Sequence, residues 1–397
     1  MNARDRILKT LDHQEPDRVP YFELSIDNLR ICNHFEEEYV FQGMVKTFND
    51  TYDLLKGNIE QLTVTILKAT ETRSYLKNTL KRHLGLYEKI GIDLATIPFT
   101  GYILFPVECH KDYFIDEYGR VFDLKQNPED GMDIAYYKTG AFRDFEEYEA
   151  RPPLDPDLER REKYFKAMKK YEKDCEGKVY VMPSAWAIFE PTWQCFGFAD
   201  FSRLLTRPSK VKKVFDDNGK FLTELIKRFI EWGEDTLVYL YSDYGYKSGL
   251  LMSPKLLNKY VFPWLKKACD IAHKGGIKVI LHSCGDILPI FKDVINCGID
   301  AVHPIEPTTS NPDYDIFKLS EEYGNKITFI GNISPQDLAE KNPEFIEAYT
   351  NKLIKKLAPG GGYMLSSGHS INPAVKLENY LAMVNTLKEY GKYPINI

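Results

Sequence analysis

The chain has 397 residues, 43% hydrophobic and 28% charged, with 52 basic and 58 acidic side chains for a formal net charge of −6. That length supplies a large core without disulfides, and an acidic balance with no long basic tract excludes a nucleic-acid-binding class. Apolar runs stay far below the roughly 20 residues of a membrane span, the charged start Met1-Asn-Ala-Arg-Asp-Arg lacks the apolar region of a secretion signal, and seven scattered cysteines read as reduced thiols, so the expected location is cytoplasmic, with no membrane partner.

In chain order, eight runs rich in β-branched or aromatic residues read as strands: 18–24, 93–98, 178–189, 236–243, 278–282, 301–305, 327–331 and 362–366. Between the first and third lie a helical stretch over 36–90 and a hairpin over 111–124, whose tip is Asp116-Glu-Tyr-Gly119. These additions, about 27–125, decorate a single domain spanning 1–397. Residues 155–174 read as a highly charged helix with a solvated face. The second half is more regular, with apolar residues three and four apart over 254–273, 287–297, 316–323, 344–357 and 376–390. Ser253, Ser334 and Asn342, each followed by proline, mark helix starts. Strand–helix alternation implies a parallel sheet, and eight repeats make an α/β (β/α)₈ TIM barrel the expected fold, with a doubly wound sheet as the alternative.

Barrel chemistry gathers where strands end, which selects Glu23 and Asp27, Asp243 and Tyr244, His282 and Cys284, His303 and Glu306, Asn332, and Ser367 and His369. His282 and Cys284 stand two apart, so a strand places both on one face, and imidazole with thiolate suits zinc. His369, after the last strand, is the expected third ligand, leaving one open position. The competing reading is a buried histidine beside an inert thiol. Asp243 and Glu306 are expected to be catalytic, moving a proton or anchoring substrate; the competing roles are a turn cap and a surface ion pair. Tyr244, Asn332 and His303 are expected to bind substrate, His303 having a second role as support for a metal-bound imidazole. Asp286 reads equally well as the N-cap of the next helix. The aromatic stretch 186–198 serves as core or as one wall of a wide pocket. His13, His34, His83, His110 and His273 are given no role.

Asp17-Arg-Val-Pro20, Leu281-His-Ser-Cys-Gly285, Phe329-Ile-Gly-Asn-Ile-Ser-Pro335, Gly368-His-Ser-Ile-Asn-Pro373 and Leu377-Glu-Asn379 together resemble the uroporphyrinogen decarboxylase superfamily over nearly the whole chain. The resemblance implies a (β/α)₈ barrel and two branches. The decarboxylase branch is metal-free and grips porphyrinogen carboxylates with an arginine-rich segment; here the corresponding stretch, 21–27, has no arginine. The other branch comprises cobalamin-dependent methyltransferases whose zinc is held by His-x-Cys and a later cysteine. His282 and Cys284 match that pair, and His369 stands at the later position, giving a less negative site. The resemblance therefore implies a zinc-dependent methyltransferase that moves methyl between a small-molecule thiol or methylated donor and a corrinoid, either methylcobalamin or the cofactor of a small corrinoid protein. The alternatives are a metal-free decarboxylase of a smaller carboxylated substrate and a non-catalytic corrinoid-binding protein.

Overall fold

The computed structural model describes residues 1–96, 106–233 and 236–395; positions 97 and 98 of the second expected strand lie outside them. A ring of parallel neighbours closes on itself. Leu94–Thr96 pairs with Tyr180–Met182, and Ser184–Trp186 pairs with Leu237–Tyr241. Leu237–Tyr241 pairs in turn with Lys278–His282, followed by Ala301–His303, Thr328–Ile330 and Tyr363–Met364. Single parallel bridges from Tyr21 to Leu365 and from Phe22 to Leu94 complete the circle. This is the TIM barrel.

Two departures from the expected strands trace to proline, which has no N–H to give a ladder. The expected strand over 178–189 is divided at Pro183, whose carbonyl still accepts from the Tyr239 N–H at 3.0 Å; its last residue, Phe189, opens the helix Phe189–Gln194. The run 18–24 holds only bridges, since Pro20 contributes its carbonyl alone, to Leu365 N–H at 3.0 Å. Asp93 completes that seam. Its carboxylate accepts from Tyr21 N–H at 2.9 Å and from Arg6 and Arg18 at 2.7 Å.

The expected helix over 254–273 is two, Pro254–Tyr260 and Phe262–Lys274, because Pro263 cannot continue the first. The helical stretch 36–90 resolves into Met44–Leu54, Ile59–Thr70 and Arg73–Ile90, with Asn58 and Thr72 capping the latter two. The expected hairpin is the centre of a larger antiparallel sheet, Pro106–Cys109, Tyr113–Asp116, Arg120–Gln126 and Asp133–Gly140. Phe114, Phe122 and Leu124 of this sheet pack on Phe48, Leu62 and Ile66 as a second, smaller core. The charged helix, Glu159–Asp174, buries Tyr164, Phe165 and Met168 together with Arg161 and Lys169, and turns its other charges toward solvent. Among the described residues all seven cysteines are free, and only Cys284 is not fully buried. No helix among them is long and apolar enough to cross a membrane.

Candidate metal centre and its two cavities

Strand Lys278–His282 delivers His282 to the C-terminal rim of the barrel, and the chain turns at Gly285 (φ 75°) directly afterwards. His282, Cys284 and His369 converge there. One ligand atom from each lies within 4.8 Å of the others, and His282 Nε2 is 3.3 Å from Cys284 Sγ. Tetrahedral zinc with ordinary bond lengths holds its donors roughly 3.4–3.6 Å apart. The histidine–cysteine pair lies close to that spacing, and the exposed His369 ring is the member with room to close on it. Two imidazoles and a thiol are a donor set that fits zinc.

A chain of hydrogen bonds fixes which nitrogen His282 offers. The Ser367 carbonyl lies 3.1 Å from His303 Nε2, and a carbonyl only accepts, so that nitrogen carries the proton. Burial, reinforced by the neighbouring His282, lowers the His303 pKa well below its usual value, leaving a neutral ring whose Nδ1 accepts. The atom 2.8 Å away, His282 Nδ1, is therefore the donor, and Nε2 of His282 keeps its lone pair toward Cys284. The Tyr239 hydroxyl shares His303 Nδ1 at 2.9 Å. His303 is wholly buried and lines neither cavity. The structure removes it from both cavities and puts it behind His282, where a partner of this kind sets tautomer and ring orientation.

The loop carrying Cys284 hangs on two carboxylates. Asp243 accepts from Cys284 N–H and Glu306 from Gly285 N–H, both at 2.8 Å. Asp243 in turn uses its own N–H to reach Glu190 at 3.1 Å. Burial and then the repulsion of Asp243 raise Glu190 to about 8, and burial raises Asp243 as well. Burial first, then the charges of Asp243, Glu306 and Glu190, push the Cys284 thiol well above its usual range, while burial and then the nearby His369 lower His282 well below its own. Glu190 was not among the expected site residues. Its signal was present: it is the one charged residue in the apolar stretch 186–198.

Two cavities meet at this cluster, and Glu190, Asp243 and His369 line both. The inner one, about 300 Å³, is walled by Asp27, Tyr39, Phe41, Trp186 and Tyr241, with His282 at its end. His83, given no role from sequence, also lines it and donates from Nε2 to the Thr96 carbonyl at 3.1 Å. The outer cavity, about 530 Å³, holds Cys284, Glu306, Lys247 and the aromatic side chains of Trp193, Phe198 and Tyr246. The stretch 186–198 thus supplies walls to both.

Two residues expected to bind substrate are packed away from both cavities. Tyr244, three residues past the end of strand Leu237–Tyr241, is wholly buried between Phe189 and Phe262 and in neither lining. Asn332 is buried, donating to the Ile305 carbonyl at 2.5 Å and accepting from Tyr349 at 3.0 Å, so its amide ties strands to a helix. Asp286 accepts from Leu288 N–H at 2.9 Å and from Asn311 at 3.0 Å, bracing the turn into the short helix Leu288–Ile290, whose N-cap is Ile287. Glu23 is wholly buried and raised by that burial to about 8; it accepts from the Tyr21 hydroxyl at 2.9 Å and shares a hydrogen bond with the Ser367 hydroxyl, whose oxygen also lies against the His369 carbonyl. Asp27 faces the inner cavity, accepting from Ser25 at 2.7 Å and Tyr39 at 3.2 Å.

The family profile described as Uroporphyrinogen decarboxylase (URO-D) matches residues 123–390. The chain is 27% identical over 157 residues to a uroporphyrinogen decarboxylase of Coxiella burnetii, covering 37% of this chain and 41% of that one. To the enzyme of the same name from Vesicomyosocius okutanii it is 31% identical over 78 residues, 20% of this chain and 22% of that one. The matched part therefore spans about two fifths or less of these curated relatives. In three dimensions it is similar to a methyltransferase from Methanosarcina mazei, with a TM-score of 0.67 at 15% identity, covering 98% and 99% of the two chains.

Proposed function

Since the chain belongs to the uroporphyrinogen decarboxylase family, we propose that it is the methyltransferase kind of member: a zinc-dependent enzyme that moves a methyl group between a small-molecule thiol or methylated donor and a corrinoid, free or on a partner protein. The observation that carries this reading is the His282–Cys284–His369 cluster at the junction of two cavities. Zinc held there would supply a Lewis acid for the sulfur or oxygen atom that loses or accepts methyl. His303 holds His282 in the ligating tautomer, and Asp243 and Glu306 hold the Cys284 loop by its N–H groups. Asp243 also faces both cavities and is placed to take up or return a proton at the reacting atom. A smaller reactant fits the inner cavity. The wider outer cavity, rimmed by exposed Phe198 and Tyr246, suits the corrin face.

The metal-free decarboxylase alternative asks the pocket to grip carboxylates, yet among the described lining residues of both cavities the one lysine or arginine is Lys247. Elemental analysis of the purified protein beside Cys284→Ala and His369→Ala variants tests the proposal. We expect about one zinc per chain, lost in both variants; a protein that takes up no zinc even when zinc is supplied would refute it.

A further inference from the structure

The inner cavity has a chemical bias of its own. Three carboxylates, Asp27, Glu190 and Asp243, face it, and the hydrogen bonds they accept come from neutral donors: Ser25 and Tyr39, Gln194 and a backbone N–H, and the Cys284 N–H. No lysine or arginine is among the described lining residues. The nearest guanidinium, Arg120, is wholly buried behind Trp186, 4.1 Å from that ring, and held in an ion pair with Asp116 at 2.6 Å. The rest of the wall includes four aromatic rings, Tyr39, Phe41, Trp186 and Tyr241, with aliphatic side chains between them, and the imidazoles of His83, His282 and His369. Ring faces attract cations, and Asp27 and Glu190, which burial biases toward their neutral forms, are drawn to the carboxylate form by a cation seated beside them.

We propose that the inner cavity selects a cation: the small-molecule reactant carries an ammonium or quaternary ammonium group, seated among Asp27, Glu190 and the four aromatic rings, with its sulfur or oxygen directed to the His282–Cys284–His369 cluster. This rests on the metal-centred function proposed above and adds the charge of the substrate. A cavity of about 300 Å³ lies at the small end of ligand sites, matching an amino-thiol, an amino-alcohol or their methylated derivatives. An anionic thiol would instead bring a negative group against three acidic side chains and keep them from ionising.

Calorimetric titration of the zinc-loaded full chain with 2-aminoethanethiol, 2-mercaptoethanol and 3-mercaptopropionate compares cation, neutral molecule and anion behind a common thiol. The cation should bind at least tenfold more tightly than the anion, with the neutral thiol between, and Asp27→Asn combined with Glu190→Gln should erase that order. Equal binding of all three, or tighter binding of the anion, overturns the assignment and leaves the metal-centred function standing. Tetramethylammonium, which cannot ligate a metal, is titrated into metal-free protein in parallel. If it binds while none of the thiols does, the cation pocket is upheld and the metal-centred function fails.

Discussion

His282 was legible from sequence as the end of its strand, whereas Cys284, expected on the same strand face, lies two residues past the strand in the loop held by Asp243 and Glu306. His369 was reachable only through the closure of the barrel, which sets the end of the last strand beside the ring's middle. Tyr244 and Asn332 misled because a polar group at a strand end looks the same whether it faces the mouth or the layer beneath; the side chain's direction is decided by packing, against Phe189 and Phe262 in one case and Tyr349 in the other. Glu190 was hidden by its aromatic company. The raised Cys284 thiol has a consequence for pH. Its proton must leave on metal binding, whereas His282 is already neutral, so zinc affinity should climb by about tenfold per pH unit across the neutral range. Competition with a chromogenic chelator from pH 6.5 to 8 measures the slope, and a pH-independent affinity would remove Cys284 from the ligand set.

At the scale of elements, the regular second half of the chain was readable from apolar spacing, and Ile316–Tyr323 was foreseen at both ends. The first half was harder. A strand such as Asp133–Gly140, exposed along much of its length, carries little of the alternation that identifies a half-buried strand, so only the inner pair of its sheet stood out. Prolines 183 and 263 divided segments whose hydrophobic pattern ran straight through them. The loop after strand Lys278–His282 shows how closely elements meet at the site: a Cβ on Gly285 would lie 2.4 Å from the backbone of Gly245 and Tyr246, and its φ is 75°. Gly285→Ala should cost about 1–3 kcal/mol for the backbone strain alone, shift Cys284 and lower zinc content. Gly360→Ala, at φ 85° with nothing within 4 Å, supplies a control with strain but no clash, and should keep its zinc. Urea denaturation and metal analysis of the two variants check this; a fully loaded, unshifted Gly285→Ala protein would contradict it.

For the whole molecule, closure of the ring depends on a seam with few backbone hydrogen bonds, and Asp93 compensates by gathering Arg6, Arg18 and the Tyr21 N–H around one buried carboxylate. Asp93→Ala would leave the buried Arg6 with one of its two carboxylate partners, and loss of a partner from a buried ion pair costs on the order of 3–5 kcal/mol. The urea midpoint should fall accordingly, and the amides of Phe22 and Leu365, which lie on the seam, should exchange hydrogen faster than those of Val279 or Leu281 opposite. An unchanged exchange pattern would mean that the seam is held elsewhere. The partition between the two cavities carries a kinetic corollary. Because Glu190, Asp243 and His369 form a wall common to both, occupants of the two sides touch the same side chains and must sense one another. Methyl transfer across such a wall should follow a sequential order with both reactants present at once, giving intersecting rather than parallel double-reciprocal plots.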